Sequence, residues 1–461
     1  MTNVIAAIST PPGKGGVAVI RMSGDGAFEI AKKVFFPRSG KDILSYPKRV
    51  QIYGEIIEDG EVIDDVLLTL FNAPASYTGE DTVEISCHGG ILVTKAVLEA
   101  LLRNGAAAAS AGEFTKRAFI NGRLSLTEAE AIGSLLDAKS KSELKLHASV
   151  SRDRLSEKIS EIREYITDTL SSIYARIDYP DEDLGEFNNE DVRERLYIIK
   201  ERIEALLSTY KTGKAVSEGI KAVICGKPNV GKSSLYNLLL GEDAAIVTDI
   251  EGTTRDVLEK CVSVGDVTLR LIDTAGIRDN EELDAVERIG IEKSHKMIKE
   301  CELLFAMFDL SRHFDEKDQA VLDEAKNLDC AKIAILNKAD QSELFAKSSI
   351  GGIFDEVITV STLKGDEEAI QKISAVVKKL FIDERISVGS DAIIFSARQN
   401  ASLTRALDFI KLSVSAIEAG FEQDAVSGDI ERALGAISEL DGRSVSEEIT
   451  KDIFSKFCVG K

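Results

Sequence analysis

The sequence predicts a multidomain chain of mixed α+β and α/β class. A small N-terminal α+β domain is expected at 1–120, an all-helical domain split into 121–215 and 381–461, and a doubly wound α/β domain with a phosphate-binding loop inserted at 216–380. Three observations predict this. At 461 residues the chain is longer than one hydrophobic core usually covers, so about three domains are expected at roughly 150 residues each. The hydrophobic pattern changes period near residues 126, 216 and 380. Helical periodicity lies on both sides of the α/β stretch, which marks that stretch as an insertion, because the ends of a domain usually lie close together.

The elements follow in order. Up to residue 120, β-rich runs at 17–21, 50–57, 62–71 and 83–86 alternate with turns, and an Ala/Leu-rich helix is expected at 92–103. Helical texture begins at 126, where Thr127 and Glu130 have the spacing of a reciprocal capping box. Beyond it Ile159, Ile162, Ile166, Leu170, Ile173 and Ile177 step by three and four, the pattern of one amphipathic face buried in a bundle. In the insertion, short apolar runs at 220–225, 267–272 and 333–336 alternate with helices, the signature of a parallel sheet. Helical periodicity returns at 403–419, 429–440 and 445–457.

Composition narrows the function. With 44% hydrophobic residues the chain is globular, and 57 basic against 78 acidic side chains give a net charge of −21. That balance opposes nonspecific coating of nucleic acid through a global basic field. Residues 1–50 do carry a local excess, with Lys14, Arg21, Lys32, Lys33, Arg38, Lys41, Lys48 and Arg49 against Asp25, Glu29 and Asp42. It reads equally as a patch or as a solvated face balanced elsewhere. Six scattered cysteines without a CxxC pair suggest neither zinc nor disulfides and fit a reducing compartment. No basic leader and no apolar run near the roughly 20 residues of a bilayer span are present, so a cytoplasmic protein without a transmembrane segment is expected.

The strongest chemical signal is Gly226-Lys227-Pro228-Asn229-Val230-Gly231-Lys232-Ser233, a GxxxxGK[ST] loop between a strand and a helix. Its backbone N–H groups can wrap phosphates at the helix N-terminus, with Lys232 as point charge and the Ser233 hydroxyl on Mg²⁺; Val230, Gly231 and Ser234 complete the cradle. Asp273-Thr274-Ala275-Gly276 follows an apolar strand, placing a carboxylate near the metal and a glycine where a terminal phosphate is sensed. Asn337-Lys338-Ala339-Asp340 follows another. The Asp340 carboxylate can accept from the ring N–H and exocyclic amine of guanine, donors that adenine lacks there. Order and spacing therefore choose GTP over ATP, and define a P-loop GTPase (Ras-like) domain. Ser361 and Thr362 follow a further strand and can cover the far side of the base. In the segment Thr248-Asp249-Ile250-Glu251-Gly252-Thr253-Thr254, the Thr254 hydroxyl can complete the Mg²⁺ shell.

Hydrolysis needs an oriented water and a charge offset on the phosphoryl group. Ile277, directly after the DxxG motif, can supply neither. Arg255 as a cis arginine and Glu287 as a polariser of water are the two groups that chemistry alone offers.

The blocks at 15–24 (GGVAVIRMSG), 76–84 (SYTGEDTVE), 87–90 (CHGG), 112–119 (GEFTKRAF) and 457–461 (FCVGK), together with the nucleotide motifs, resemble the tRNA-modification GTPase family MnmE, also called TrmE, almost end to end. The resemblance implies an N-terminal dimerisation and folate-binding domain, a split helical domain and an inserted GTPase domain. It implies a homodimer that works with an FAD-dependent partner, MnmG or GidA, in a heterotetramer acting on tRNA. The reaction implied is installation of an aminomethyl or carboxymethylaminomethyl group at C5 of the wobble uridine. A tetrahydrofolate derivative, the 5,10-methylene or 5-formyl form, supplies the carbon.

By motif, the folate contacts implied are Arg21, Glu84, Arg123 and Lys461, and Cys458 is a possible reactive thiol. The family often has lysine where this chain has Arg123, which keeps the charge and alters its geometry. The resemblance also implies a K⁺ ion in place of an arginine finger, held by Asn229 and by Thr248, Ile250 and Thr253, and assigns the water to Glu287 rather than Arg255. A ribosome-assembly GTPase and a regulatory switch GTPase remain rivals, and folate binding separates them from this reading. Because Ile277 and Asn229 point to an ion-assisted site, GTP hydrolysis is predicted to require K⁺ and to fail in Na⁺; equal rates in the two salts exclude the ion-assisted site.

Overall fold

A computed structural model describes residues 3–150, 154–179, 187–241, 259–265, 267–272, 300–363, 366–443 and 446–461. The chain divides into two units, one formed by Met1–Gly133, Ser156–Glu182 and Ser427–Lys461, the other by Ser134–Leu155 and Asp183–Val426.

In the first unit, seven strands form one sheet in the order β3-β4-β5-β6-β2-β1-β7. They are β1 Ile5–Ile8, β2 Ala18–Ser23, β3 Phe35–Pro37, β4 Gln51–Glu58, β5 Glu61–Phe71, β6 Thr82–Cys87 and β7 Ala107–Ala108. All pairings are antiparallel except β1 with β7. Strand alternation sends Ile20, Met22, Val83 and Ile85 into a core with Ala31, Val34, Val97 and Leu101 from the helices Ala27–Val34 and Ile91–Arg103. Arg21 and Glu84, register partners on β2 and β6, are thereby turned to the opposite face.

Two local expectations are corrected. The helix Leu126–Asp137 is capped by Ser125 and Glu128, not by Thr127 and Glu130: the Glu128 N–H donates to Ser125 Oγ at 3.2 Å and the Ser125 N–H to Glu128 Oε2 at 2.6 Å. Both pairs have the required spacing; the helix begins at Leu126 as expected, and its cap is the residue directly before it rather than Thr127. Thr127 is instead fully buried, and its hydroxyl donates to the Leu440 carbonyl at 2.9 Å. In the helix Arg154–Asp178, Ile159, Ile162, Ile166, Leu170 and Ile173 are buried, whereas Ile177 is exposed because the stripe reaches the helix end there.

In the second unit, six strands are ordered β13-β12-β11-β8-β10-β9. These are β8 Ile220–Gly226, β9 Glu259–Val264, β10 Val267–Ile272, β11 Leu303–Asp309, β12 Ala331–Asn337 and β13 Glu356–Thr359. All pair in parallel except β9, which runs antiparallel to β10. All seven residues of β11 are buried, as a strand covered on both faces requires. Successive strands leave β8 in opposite directions, through β10 on one side and β11 on the other, so the crevice beyond the carboxyl end of β8 is the topological switch point where such sheets bind ligands.

The same unit contains the long helices Asn189–Ser208 and Ala397–Glu418, each opened by a reciprocal capping box, Asn188 with Asp191 and Ser396 with Gln399. Val192, Leu196, Ile199 and Ile203 are buried on one, Leu403, Ala406 and Ile410 on the other, and Tyr197 donates to Glu418 at 2.8 Å between them. Among the described residues no helix is long and apolar enough to cross a membrane. From the observed cap, Ser125→Ala is expected to lower unfolding stability by about 1 kcal/mol in urea titrations and Glu130→Ala by less; the reverse order returns the cap to Thr127.

Candidate functional site

The phosphate loop leaves β8 and enters the helix Lys232–Leu240 directly. Gly226 has φ 152°, and a Cβ there would lie 2.7 Å from the Met307 carbonyl oxygen of β11. Gly231 has φ 103°, and its Cβ would fall 2.2 Å from Asn337 Nδ2. A side chain at Gly226 would have to displace the β11 backbone, and one at Gly231 the buried Asn337 amide. Asn229 is also left-handed, at φ 63°. The loop therefore curls with its N–H groups gathered at a helix N-terminus, an arrangement suited to anionic oxygens. Lys232 Nζ donates to the carbonyls of Gly226 and Lys227, each at 3.1 Å.

Asn337, at the end of β12, is 1% exposed and braces two loops at once. Its Nδ2 donates to the Val230 carbonyl at 2.8 Å and to Thr362 Oγ1 at 3.1 Å, and its Oδ1 accepts from the Thr362 N–H at 3.0 Å. Ser361 donates to Asp340 Oδ1 at 2.6 Å, which fixes that carboxylate. Lys338, left-handed at φ 65°, reaches Asp309 Oδ2 at 2.6 Å. Burial pushes the Asp309 carboxyl up, but Lys338 together with the Ser311 hydroxyl and N–H outweighs it and holds Asp309 below its usual value. Asn229, Gly231, Lys232, Ser233, Ser234, Asn337, Lys338, Asp340, Ser361, Thr362 and Leu363 line one cavity of about 320 Å³. All the described nucleotide residues of the sequence reading meet here, Val230 through its carbonyl. Thr248, Asp249, Ile250, Glu251, Gly252, Thr253, Thr254, Arg255, Asp273, Thr274, Ala275, Gly276 and Glu287 lie outside the described residues.

In the first unit, Arg21 and Glu84 are paired with each other: Nε and Nη2 donate to Oε1 at 2.9 and 2.7 Å. The guanidinium lies 5.3 Å from the Tyr77 ring centre and 5.8 Å from that of Phe114. Phe114 in turn donates its N–H to the Lys461 carbonyl at 3.2 Å. The chain end is stitched on by an antiparallel bridge of Ala111 with Val459 and by Ser9 Oγ donating to the Gly460 carbonyl at 3.0 Å. Arg123 stands beside the Tyr77 segment, since a Cβ on Gly79 would meet its Cγ at 3.1 Å. Cys458 is exposed, and its carbonyl accepts from the Gly112 N–H at 3.4 Å.

Of the eight basic residues in 1–50, three pair with carboxylates among the described residues: Arg38 with Glu55 and Asp65, Lys32 with Asp42, and Arg21 with Glu84. The sequence reading missed Asp309 and the aromatic walls around Arg21. A further omission was Lys227, which bonds Asp315 and Asp318. Only the Asp315-x-x-Asp318 spacing is visible in sequence, and it reads as a helix cap.

Two family models match the chain, one described as the GTP-binding protein TrmE N-terminus over residues 4–123, the other as the MnmE helical domain over 126–458. Proteins named tRNA modification GTPase MnmE are similar along the full length: that of Acetivibrio thermocellus is 40% identical over 461 residues, covering 100% of this chain and 99% of its own. That of Carboxydothermus hydrogenoformans is 39% identical, with 100% of each chain covered. Solved structures align over less: Era of Aquifex aeolicus bound to GDP.AlF4- is 21% identical over 42% of this chain and 67% of its own, at a TM-score of 0.27. The G domain of T. maritima FeoB is 19% identical over 35% and 98%, at 0.26, and likenesses at these scores carry no weight here. The full-length identity and the two family matches agree with the motifs already placed, and the chain belongs to the tRNA modification GTPase MnmE family.

Proposed function

We propose that the chain is the GTP-hydrolysing subunit of a complex that installs an aminomethyl or carboxymethylaminomethyl group at C5 of the tRNA wobble uridine, using a tetrahydrofolate one-carbon donor. The observation that carries this reading is the identity of 40% along the whole chain to a tRNA modification GTPase. The nucleotide cavity supports its first half. Its cradle is shaped so that a Cβ at Gly226 or Gly231 would collide with neighbouring atoms, and it joins a helix N-terminus to the guanine-reading Asp340.

In this reading Asp340 accepts the two guanine donors, with Ser361 holding its second oxygen, and Asn337 keeps phosphate loop and base loop in register. Lys232 turns from the loop carbonyls to the phosphates, and Glu287 orients the water. Ser233 and Thr254 are the Mg²⁺ ligands, and Asn229 with Thr248, Ile250 and Thr253 the K⁺ ligands; Ser233 and Asn229 line the cavity, so these oxygen donors fit hard cations. The cations, when bound, offset the negative charge on the phosphates. Arg21, Glu84, Arg123 and Lys461 take the folate derivative: a carboxylate suits an amino-pyrimidine edge and cations suit a glutamate tail. A homodimer and an FAD-dependent MnmG partner complete the assembly, and with this chain at a net charge of −21 that partner supplies most of the basic surface for tRNA.

Asp340→Asn removes the acceptor for both guanine donors and presents an amide N–H₂ to the C2 carbonyl of xanthine. Losing two charge-assisted bonds of about 1.5–3 kcal/mol each should weaken GTP binding at least about 100-fold and favour XTP, measured by nucleotide titration; unchanged GTP affinity removes the assignment of Asp340. The function itself is tested by deleting the gene and analysing nucleosides of total tRNA by mass spectrometry. The C5 aminomethyl derivatives of the wobble uridine should vanish, and return with the wild-type gene but not with Asp340→Asn. Their persistence in the deletion strain refutes the proposed reaction.

A further inference from the structure

Lys227 occupies an unspecified position of the GxxxxGK[ST] loop, yet its side chain is only 7% exposed. Its ammonium donates to Asp315 Oδ2 at 2.8 Å and to Asp318 Oδ2 at 2.7 Å. Asp318 is 1% exposed, and its other oxygen has no partner among the described residues. These carboxylates also cap the helix Glu316–Lys326: Asp315 Oδ1 accepts from the N–H groups of Lys317 and Asp318 at 2.9 and 3.1 Å, and Asp318 Oδ2 from that of Asp315 at 3.1 Å. An aspartate cap needs no cation and works at exposed helix starts. A lysine folded inward against it incurs desolvation for which helix capping gives no reason.

What the lysine does is visible on the loop side. Burial acts to discharge its ammonium, the two carboxylates outweigh burial, and Lys227 stays charged. Its own carbonyl, with that of Gly226, accepts from Lys232 Nζ, so the backbone fixed by the Lys227 clamp is the backbone that seats Lys232. The loop has two anchors: Asn337 holds its second half through the Val230 carbonyl, and Lys227 holds its first half through the helix after β11.

We propose that Lys227 is a positioning residue for nucleotide binding, which through Asp315 and Asp318 holds the first half of the phosphate loop in the shape that presents its N–H groups and Lys232 to a β-phosphate. It acts through the backbone and does not touch the ligand. The proposal rests on the nucleotide-binding reading given above and adds a selectivity to it: ligands with a β-phosphate depend on the clamp, and GMP, held by the base loop, does not.

The test is calorimetric titration of the full chain with GDP, a non-hydrolysable GTP analogue and GMP. Lys227→Met should raise the Kd for GDP and the analogue about tenfold, the loss of roughly one charge-assisted contact, with GMP within about twofold. In hydrolysis assays KM should rise while kcat stays within about threefold, because binding is lost equally in ground and transition states. Lys227→Arg, which keeps charge and donors, should hold GDP affinity within about threefold. Asp318→Asn keeps the shape and should show a smaller rise of the same sign, and it decides the matter if Lys227→Met does not fold. Wild-type GDP affinity in the folded variant, or an equal loss for GMP, overturns the proposal and leaves only a structural ion pair. A wild-type chain that binds neither GDP nor the analogue removes the nucleotide reading itself, a distinguishable failure.

Discussion

A phosphate cradle must keep its N–H groups unpaired and pointing inward, so it cannot be stabilised by the regular hydrogen bonding that holds strands and helices. Its shape has to come from outside the loop. Here the restraint is supplied by side chains on neighbouring strands and helices, above all by Asn337, whose amide bonds the Val230 carbonyl and the hydroxyl and N–H of Thr362. Gly231 packs against that same amide too closely for any side chain, so the loop, the 361–362 segment and the strand end are fixed as one unit. The nucleotide cavity exists because β12 places Asn337 beside the helix start that follows β8.

Several of the molecule's cations are committed to internal work of this kind. Lys338 neutralises the buried Asp309 at the end of β11, and Arg117, 12% exposed, bridges Glu80 and Glu113 in the N-terminal unit. Arg21 is shared between Glu84 and two aromatic faces. In an acidic chain, a partly buried guanidinium or ammonium finds a carboxylate easily, and each such pair trades desolvation against attraction and specificity of geometry rather than large net stability. Net charge therefore says little about which cations are available to a ligand.

The N-terminal unit shows the same dependence on distant sequence. Phe114 packs beneath Arg21 and receives the chain end through the Lys461 carbonyl, and Val459 adds a bridge to Ala111. The last residues of the chain thus help build the surroundings of a residue near its start. Periodicity found the strands of this unit because alternation of Ile20, Met22, Val83 and Ile85 is a local property. It misassigned the cap at residue 125 because two overlapping S/T-x-x-E patterns satisfy the same rule, and only the packing of Thr127 against Leu440 selects between them.

By itself the sequence determined the class of each segment, the order of the nucleotide motifs and the family, because propensity, period and motif spacing are encoded over tens of residues. It also named most of the cavity wall, since Gly231, Lys232, Asn337 and Asp340 fall in motifs of fixed spacing. Tertiary structure alone decided which charges are spent on each other: Arg21 on Glu84 across 63 residues, Lys338 on Asp309 across 29, and Lys227 on Asp318 across 91. Such pairings leave no periodic trace, because they depend on which strand ends the sheet order brings together, and a single lysine or aspartate looks the same in sequence whether it faces water or another charge.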